Sequence, residues 1–176
     1  VPIFSKDGQL STDEGYNPVT HTYLDLPSEL KLRTVSKSPT SEEIKECRDW
    51  LFEELMFDFP FEESGTSGKA HATALFLLPF VRDLIHGRTP LHLIDSAGNG
   101  AGKTILTECL LYPSDCRFPP TTSLGTPEEA IKAIFALLME GTDRVLFDNI
   151  AEGIDSPILA RAITSDSITE RVLGAS

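Results

Sequence analysis

The chain has no apolar run close to the roughly 20 residues that a membrane-spanning helix needs, which excludes an ordinary helical membrane protein. Its opening, Val1-Pro2-Ile3-Phe4-Ser5-Lys6-Asp7, has neither the basic stretch nor the apolar stretch of a secretory signal. Cysteine is sparse and irregularly placed. Cys47, Cys109 and Cys116 contain no CxxC pair, so free thiols in a reducing cytoplasm fit better than a disulfide framework or a zinc site. Positive charge is also scarce, with 15 Lys and Arg against 27 Asp and Glu, a net charge of −12. A protein that wraps nucleic acid over its whole surface is usually basic, so any DNA contact must be local or made by other parts. The plainest reading of the acidity is solubility. The four histidines, His21, His71, His86 and His92, are too scattered to suggest a metal set or a catalytic triad. An initiator Met is lacking, and Val172-Leu173-Gly174-Ala175-Ser176 reads like the middle of a domain. The expectation is an inner piece of a longer polypeptide.

What is present suits one globular domain with a small appendage: 176 residues, 40% hydrophobic and 24% charged. Residues 1–40 read as a β-rich or irregular arm, punctuated by Asp7-Gly8, Glu14-Gly15 and Asn17-Pro18. Asp-Gly between β-prone pieces signals a hairpin. A disordered leader is the alternative. Residues 41–88 read as a helical preface. Thr40-Ser41-Glu42-Glu43 has the capping-box pattern, and Ile44, Cys47, Leu51 and Leu55 then share a helical face. Asp58-Phe59-Pro60-Phe61 breaks that helix. A second is expected from about Ser67 to Ile85, kinked or divided by Pro79, with Ala72, Leu75 and Leu78 in the core. Trp50 and the phenylalanines are expected there too.

From residue 89 to 176 the pattern becomes α/β. Residues 90–95 read as a strand, followed by a glycine-rich loop and an apolar helix from Lys103 to about Tyr112. Thr126-Pro127-Glu128-Glu129 is a second capping box, with Pro at the first helical position. It opens a helix carrying Ile131, Ile134, Phe135 and Leu138 on one face and ending at Gly141. Arg144-Val145-Leu146-Phe147-Asp148 reads as a buried strand ending in an acid. Ser156-Pro157 starts a short helix, and residues 168–173 suit one more strand.

The chemistry gathers at residues 97–104, Ala97-Gly98-Asn99-Gly100-Ala101-Gly102-Lys103-Thr104. The usual phosphate-loop pattern starts with Gly; here Ala97 stands in that place. Glycines permit positive φ, so successive N–H groups can turn inward around phosphate oxygens. The helix that follows points its positive end at the same anion. Lys103 would reach the β- and γ-phosphates, and the Thr104 hydroxyl would bind Mg²⁺. A flexible glycine loop without a ligand is the bland alternative. Asp148, at the end of its apolar strand, would hold the same Mg²⁺ through water. Asn149 follows where many hydrolysing relatives of this design place Glu. An amide can orient water but takes no proton at neutral pH, so Glu152 or another acid would be the base. A strand-end cap is the other reading of Asn149. Arg171, between apolar neighbours, would touch a γ-phosphate within its own subunit or across an interface, or else pair with Glu170 or Asp166.

The stretches Asp58-Phe59-Pro60-Phe61, Leu77-Leu78-Pro79-Phe80-Val81-Arg82, the phosphate loop, Leu146-Phe147-Asp148-Asn149-Ile150 and Arg171-Val172-Leu173-Gly174 together resemble the ATPase domains of phage and mobile-element replication proteins. These are primase-associated, helicase-like P-loop proteins related to the AAA+ class. Pro2-Ile3, Asp7-Gly8 and Gly15-Tyr16 resemble the segment before that domain, so the likeness spans nearly the whole chain. It implies a three-layer α/β P-loop fold with a parallel sheet, here an incomplete AAA+-like core. It also implies ATP and Mg²⁺ as cofactors, action on DNA in the longer protein, and sites completed between subunits of an oligomer. Asn after the strand Asp is usual in that family. A small-molecule P-loop kinase and a non-catalytic nucleotide-binding module remain as rivals.

Overall fold

In a computed structural model, residues 2–61, 67–96, 98, 100–150, 154–165 and 167–169 are described. The chain separates into two compact units. One comprises residues 1–86 and 92–118, the other residues 87–91 and 119–176. Among the described residues the strands are short and form three separate two-stranded sheets.

The first unit begins with two hairpins. β1 (Ile3–Phe4) pairs antiparallel with β2 (Leu10–Ser11), and β3 (Gly15–Asn17) with β4 (Thr22–Leu24). The first turn closes through Ser5 N to Gln9 O at 2.9 Å and Gly8 N to Ser5 O at 2.8 Å, with Gly8 at φ +81°. That positive φ is why Asp-Gly marked the turn. β1 lies against α2 below, and residues 25–40 carry no strand.

Helix α1 (Ser41–Trp50) starts at the expected capping box. The Thr40 amide donates to Glu43 Oε2 at 2.7 Å, and the Glu43 amide donates to Thr40 Oγ1 at 3.2 Å. The helix then widens into a π-helical turn at Leu51–Leu55. None of α1 itself is buried: Ile44 and Trp50 are each 57% exposed, and burial starts at Leu51. The expected face therefore becomes buried two turns late, and Trp50, like Phe57 and Phe118, lies outside the core. Periodicity gives a helix's faces but does not say whether anything packs against them.

Helix α2 (Ser67–Val81) carries Pro79 in its last turn and gives way to a 3₁₀ turn at Arg82–Leu84, the division that the proline led one to expect. Helix α3 (Lys103–Asp115) packs on α2. Leu51, Met56, Ala72, Leu75, Leu106, Leu110 and Leu111 form this unit's buried core, flanked by Phe59, Phe61 and Ile94.

Residues 90–95 do not form the expected strand. A strand exists only as part of a ladder, and no described residue pairs with this segment. Leu93 is 72% exposed, which a buried central strand would not permit. The apolar run Leu91-His92-Leu93-Ile94 matched strand composition without a partner to pair with.

The second unit holds β5 (Thr121–Thr122), α4 (Pro127–Met139), β6 (Leu146–Phe147) and α5 (Pro157–Thr164). β6 is shorter than the expected strand and pairs parallel with β5. Thr126 caps α4 with both capping-box bonds formed, and Gly141 at φ +70° follows the helix end. Ser156 Oγ accepts from the Leu159 amide at 3.4 Å to open α5. Ala130, Ile134, Ile158 and Leu159 make the core, with Ile131, Phe135 and Phe147 packed beside it. Leu138, expected on the buried face, is 48% exposed near the helix end. The strand expected at 168–173 falls largely outside the described residues, and residues 167–169 are not in a strand.

Candidate functional site: a glycine loop on a helix N-terminus

The loop ends in two glycines with left-handed backbone. Gly100 has φ +77°, and Gly102, the N-cap of α3, has φ +79° and ψ 17°. A side-chain-bearing residue pays about 1–2 kcal/mol to adopt this region, so the glycines permit the turn without strain. The carbonyl of Gly102 accepts the first helical bond, from Leu106 N at 2.8 Å. A helix leaves its first four N–H groups without intrahelical partners. In α3 those groups and the helix dipole face the end of the glycine loop, the chemistry of an anion site.

Ser96 organises the near side of the loop. Its amide donates to Asp95 Oδ1 at 2.7 Å, and its hydroxyl donates to the Gly98 carbonyl at 2.8 Å. The Lys103 ammonium reaches back seven residues to donate to that same hydroxyl at 2.9 Å. Lys103 is partly buried and has a neutral partner; among the described residues it makes no ion pair. Its full charge is therefore directed at the loop. Thr104 is partly buried in the first turn of α3, and Ala101 lies between the two glycines. Ala97 and Asn99 lie outside the described residues.

On the other side, Phe59 covers Gly102. A Cβ placed on Gly102 would meet the Phe59 ring at 3.5 Å. Phe59 and Phe61 help to line a cavity of about 170 Å³ whose wall also includes Ser96 and Lys103. Buried Ala72, Leu75, Leu106 and Leu110 form its floor. His71 and His92 contribute imidazoles. Burial, and secondarily the charge of nearby His71, holds His92 below the usual histidine range. Sequence reasoning took the Phe59 segment as a helix breaker and dismissed both histidines. It did not single out Ser96. Residues distant in sequence give no signal of a shared cavity until the fold joins them.

In the second unit Asp148 follows β6 directly. Its amide donates to the Thr122 carbonyl at 3.1 Å, extending the parallel pairing by one bond. Its Oδ1 accepts from the Asn149 amide at 2.8 Å. Asn149 is exposed and left-handed, with φ +55°. Asn tolerates that region better than most residues, so the strand-end turn explains an amide side chain there without catalysis. Glu152 and Arg171 lie outside the described residues.

Gly98, Gly100, Ala101, Gly102 and Lys103 thus combine left-handed glycines, a helix N-terminus and a lysine that makes no ion pair among the described residues, a set that suits an anionic group. Among the described residues no group of three or more His, Cys, Asp or Glu is placed to hold a metal alone. Among the same residues no helix is long and apolar enough to cross a membrane. Comparison of the chain with known proteins finds no matching family model, no curated relative and no similar solved structure.

Proposed function

We propose that the loop at Gly98–Thr104 binds the phosphates of Mg·ATP and that the chain is an ATPase module of a DNA-replication protein from a phage or mobile element. The observation that carries the first half is the loop's backbone. Gly100 and Gly102 both lie in the left-handed region at the N-terminus of α3, and Lys103 folds back over the loop to Ser96. The second half rests on the resemblance in the motifs named above. The three-layer P-loop core and the cytoplasmic setting belong to the same proposal, the latter supported by free Cys47, Cys109 and Cys116.

In this reading the amides of Gly98, Gly100, Ala101 and Gly102, with those of Ala97 and Asn99, cradle the phosphate oxygens. Lys103 exchanges its Ser96 partner for a phosphate oxygen and neutralises charge that builds up during cleavage. Thr104, and by the motif reading Asp148, would hold a Mg²⁺, which would supply positive charge to the phosphates. Asn149 orients water, and Arg171 acts across a subunit interface of a homo-oligomer. DNA is the partner, contacted locally.

Product analysis separates this reading from its rivals. ADP with free phosphate supports an ATPase. ADP with a phosphorylated acceptor would indicate a small-molecule kinase, and binding with no turnover would leave a nucleotide-binding module.

A further inference from the structure

We propose that the half-open cavity lined by Phe59, Phe61, His71 and His92 beside the loop is the subsite for the nucleotide's base. The inference rests on the phosphate-binding reading of Gly98–Thr104 and extends it to the other end of the ligand. Size is the first argument. Pockets that enclose a whole drug-sized ligand run to roughly 300–1,000 Å³, whereas this cavity measures about 170 Å³. An apolar cavity of about 150 Å³ accepts a benzene ring. The space therefore suits one planar ring system and not an entire nucleoside triphosphate.

Chemistry is the second argument. One wall of the cavity carries Ser96 and Lys103, the residues that would meet the phosphates, with Asp95 beside them accepting from the Ser96 amide. The remaining lining is mostly apolar and includes buried Ala72, Leu75, Leu106 and Leu110, two phenylalanine rings and two imidazoles. A nucleotide has the same polarity, with anions at one end and a flat, weakly hydrated ring at the other. Aromatic rings hold bases by stacking. An imidazole held neutral carries one donor and one acceptor, which matches the mixed edge of a purine. Both rings pack against glycine backbone. Phe59 packs over Gly102, and Phe61 lies against the backbone of Gly68, where a Cβ would come within 3.2 Å of it. A side chain at Gly68 would require the Phe61 ring to shift by a few tenths of an ångström.

The test uses two probes on the 176-residue chain, Mg·ATP and inorganic triphosphate, which has phosphates but no base. Wild type should bind ATP more tightly than triphosphate. Phe61→Ala and His92→Ala should each weaken ATP binding by about ten-fold, the scale of one lost stacking contact, and leave triphosphate binding within about two-fold. Triphosphate binding also reports that the variants remain folded. Equal affinity of wild type for both probes would overturn the base subsite, as would an equal loss of both in the two variants. Lys103→Ala addresses the other reading separately. If it leaves triphosphate binding unchanged, the phosphate assignment fails and the base assignment falls with it. If triphosphate binding is lost in Lys103→Ala but ATP shows no extra affinity in wild type, only the base assignment fails.

Discussion

Lys103 donates to the Ser96 hydroxyl at 2.9 Å, so the charge at the start of α3 is already folded over the loop by a neutral partner. That hydroxyl passes the bond on to the Gly98 carbonyl at 2.8 Å. Ser96 thus holds the lysine where a phosphate oxygen would replace it. A hydrogen bond from a charged group contributes about 1.5–3 kcal/mol, and a phosphate would return that contribution.

Ser96→Ala should therefore weaken Mg·ATP binding by no more than about ten-fold, because the phosphate substitutes for the lost partner. Calorimetric titration checks this. A loss as large as that of Lys103→Ala would show that Ser96 shapes the loop itself.

Gly100→Ala and Gly102→Ala should each destabilise the fold by about 1–2 kcal/mol, the cost of a left-handed conformation for a residue with a Cβ. Space differs between them: Gly100 has nothing within 4 Å of the added atom, while Gly102 would touch Phe59 at the ordinary contact distance of 3.5 Å. Conformation, not crowding, should dominate, so urea denaturation should give similar losses. A much larger loss at Gly102 would make the Phe59 contact the stronger constraint.

The local signals were legible in the sequence where a few adjacent residues decide the outcome. Thr40 with Glu43, Thr126 with Glu129, and Ser156 before Pro157 each start the helix they were expected to start. Pro79 and Asp7-Gly8 acted as local geometry requires. The failures need a distant partner. Residues 90–95 have strand composition but no ladder, and Trp50 has helical spacing but no covering surface. At the loop, the left-handed backbone of Gly100 and Gly102 could be read directly because glycine itself signals it. Phe59, His71 and His92 could not, because only tertiary packing brings them beside Lys103.

Asp148→Asn should abolish Mg²⁺-dependent turnover while metal-free nucleotide binding survives. Asn149→Asp should give no large gain, because the exposed, left-handed Asn149 suits a turn. Steady-state phosphate release measures both. Full turnover in the first variant would remove Asp148 from the metal site. A gain of about 10²–10⁴ in the second, typical of general-base catalysis, would make position 149 the missing base.

Stability should fall as pH drops below the usual histidine value. In the folded chain His92 protonates below 6.5, chiefly because it is buried and secondarily because of the charge on His71. Between the folded and unfolded values the unfolded chain binds more protons, so stability rises with pH. His92's contribution is complete above about 6.5 and is lost as pH falls through the lower, folded value. Denaturation midpoints of wild type and His92→Gln at about pH 7.5 and about pH 5.5 test this. The variant should lose less stability on acidification, and an identical loss would contradict the assignment.

The most direct test is a titration of wild type and Lys103→Ala with a fluorescent ATP analogue in the presence of Mg²⁺. Removing a charged donor aimed at phosphate should weaken binding by about ten- to a hundred-fold. Equal affinity in the two proteins would contradict a nucleotide-binding function for the loop.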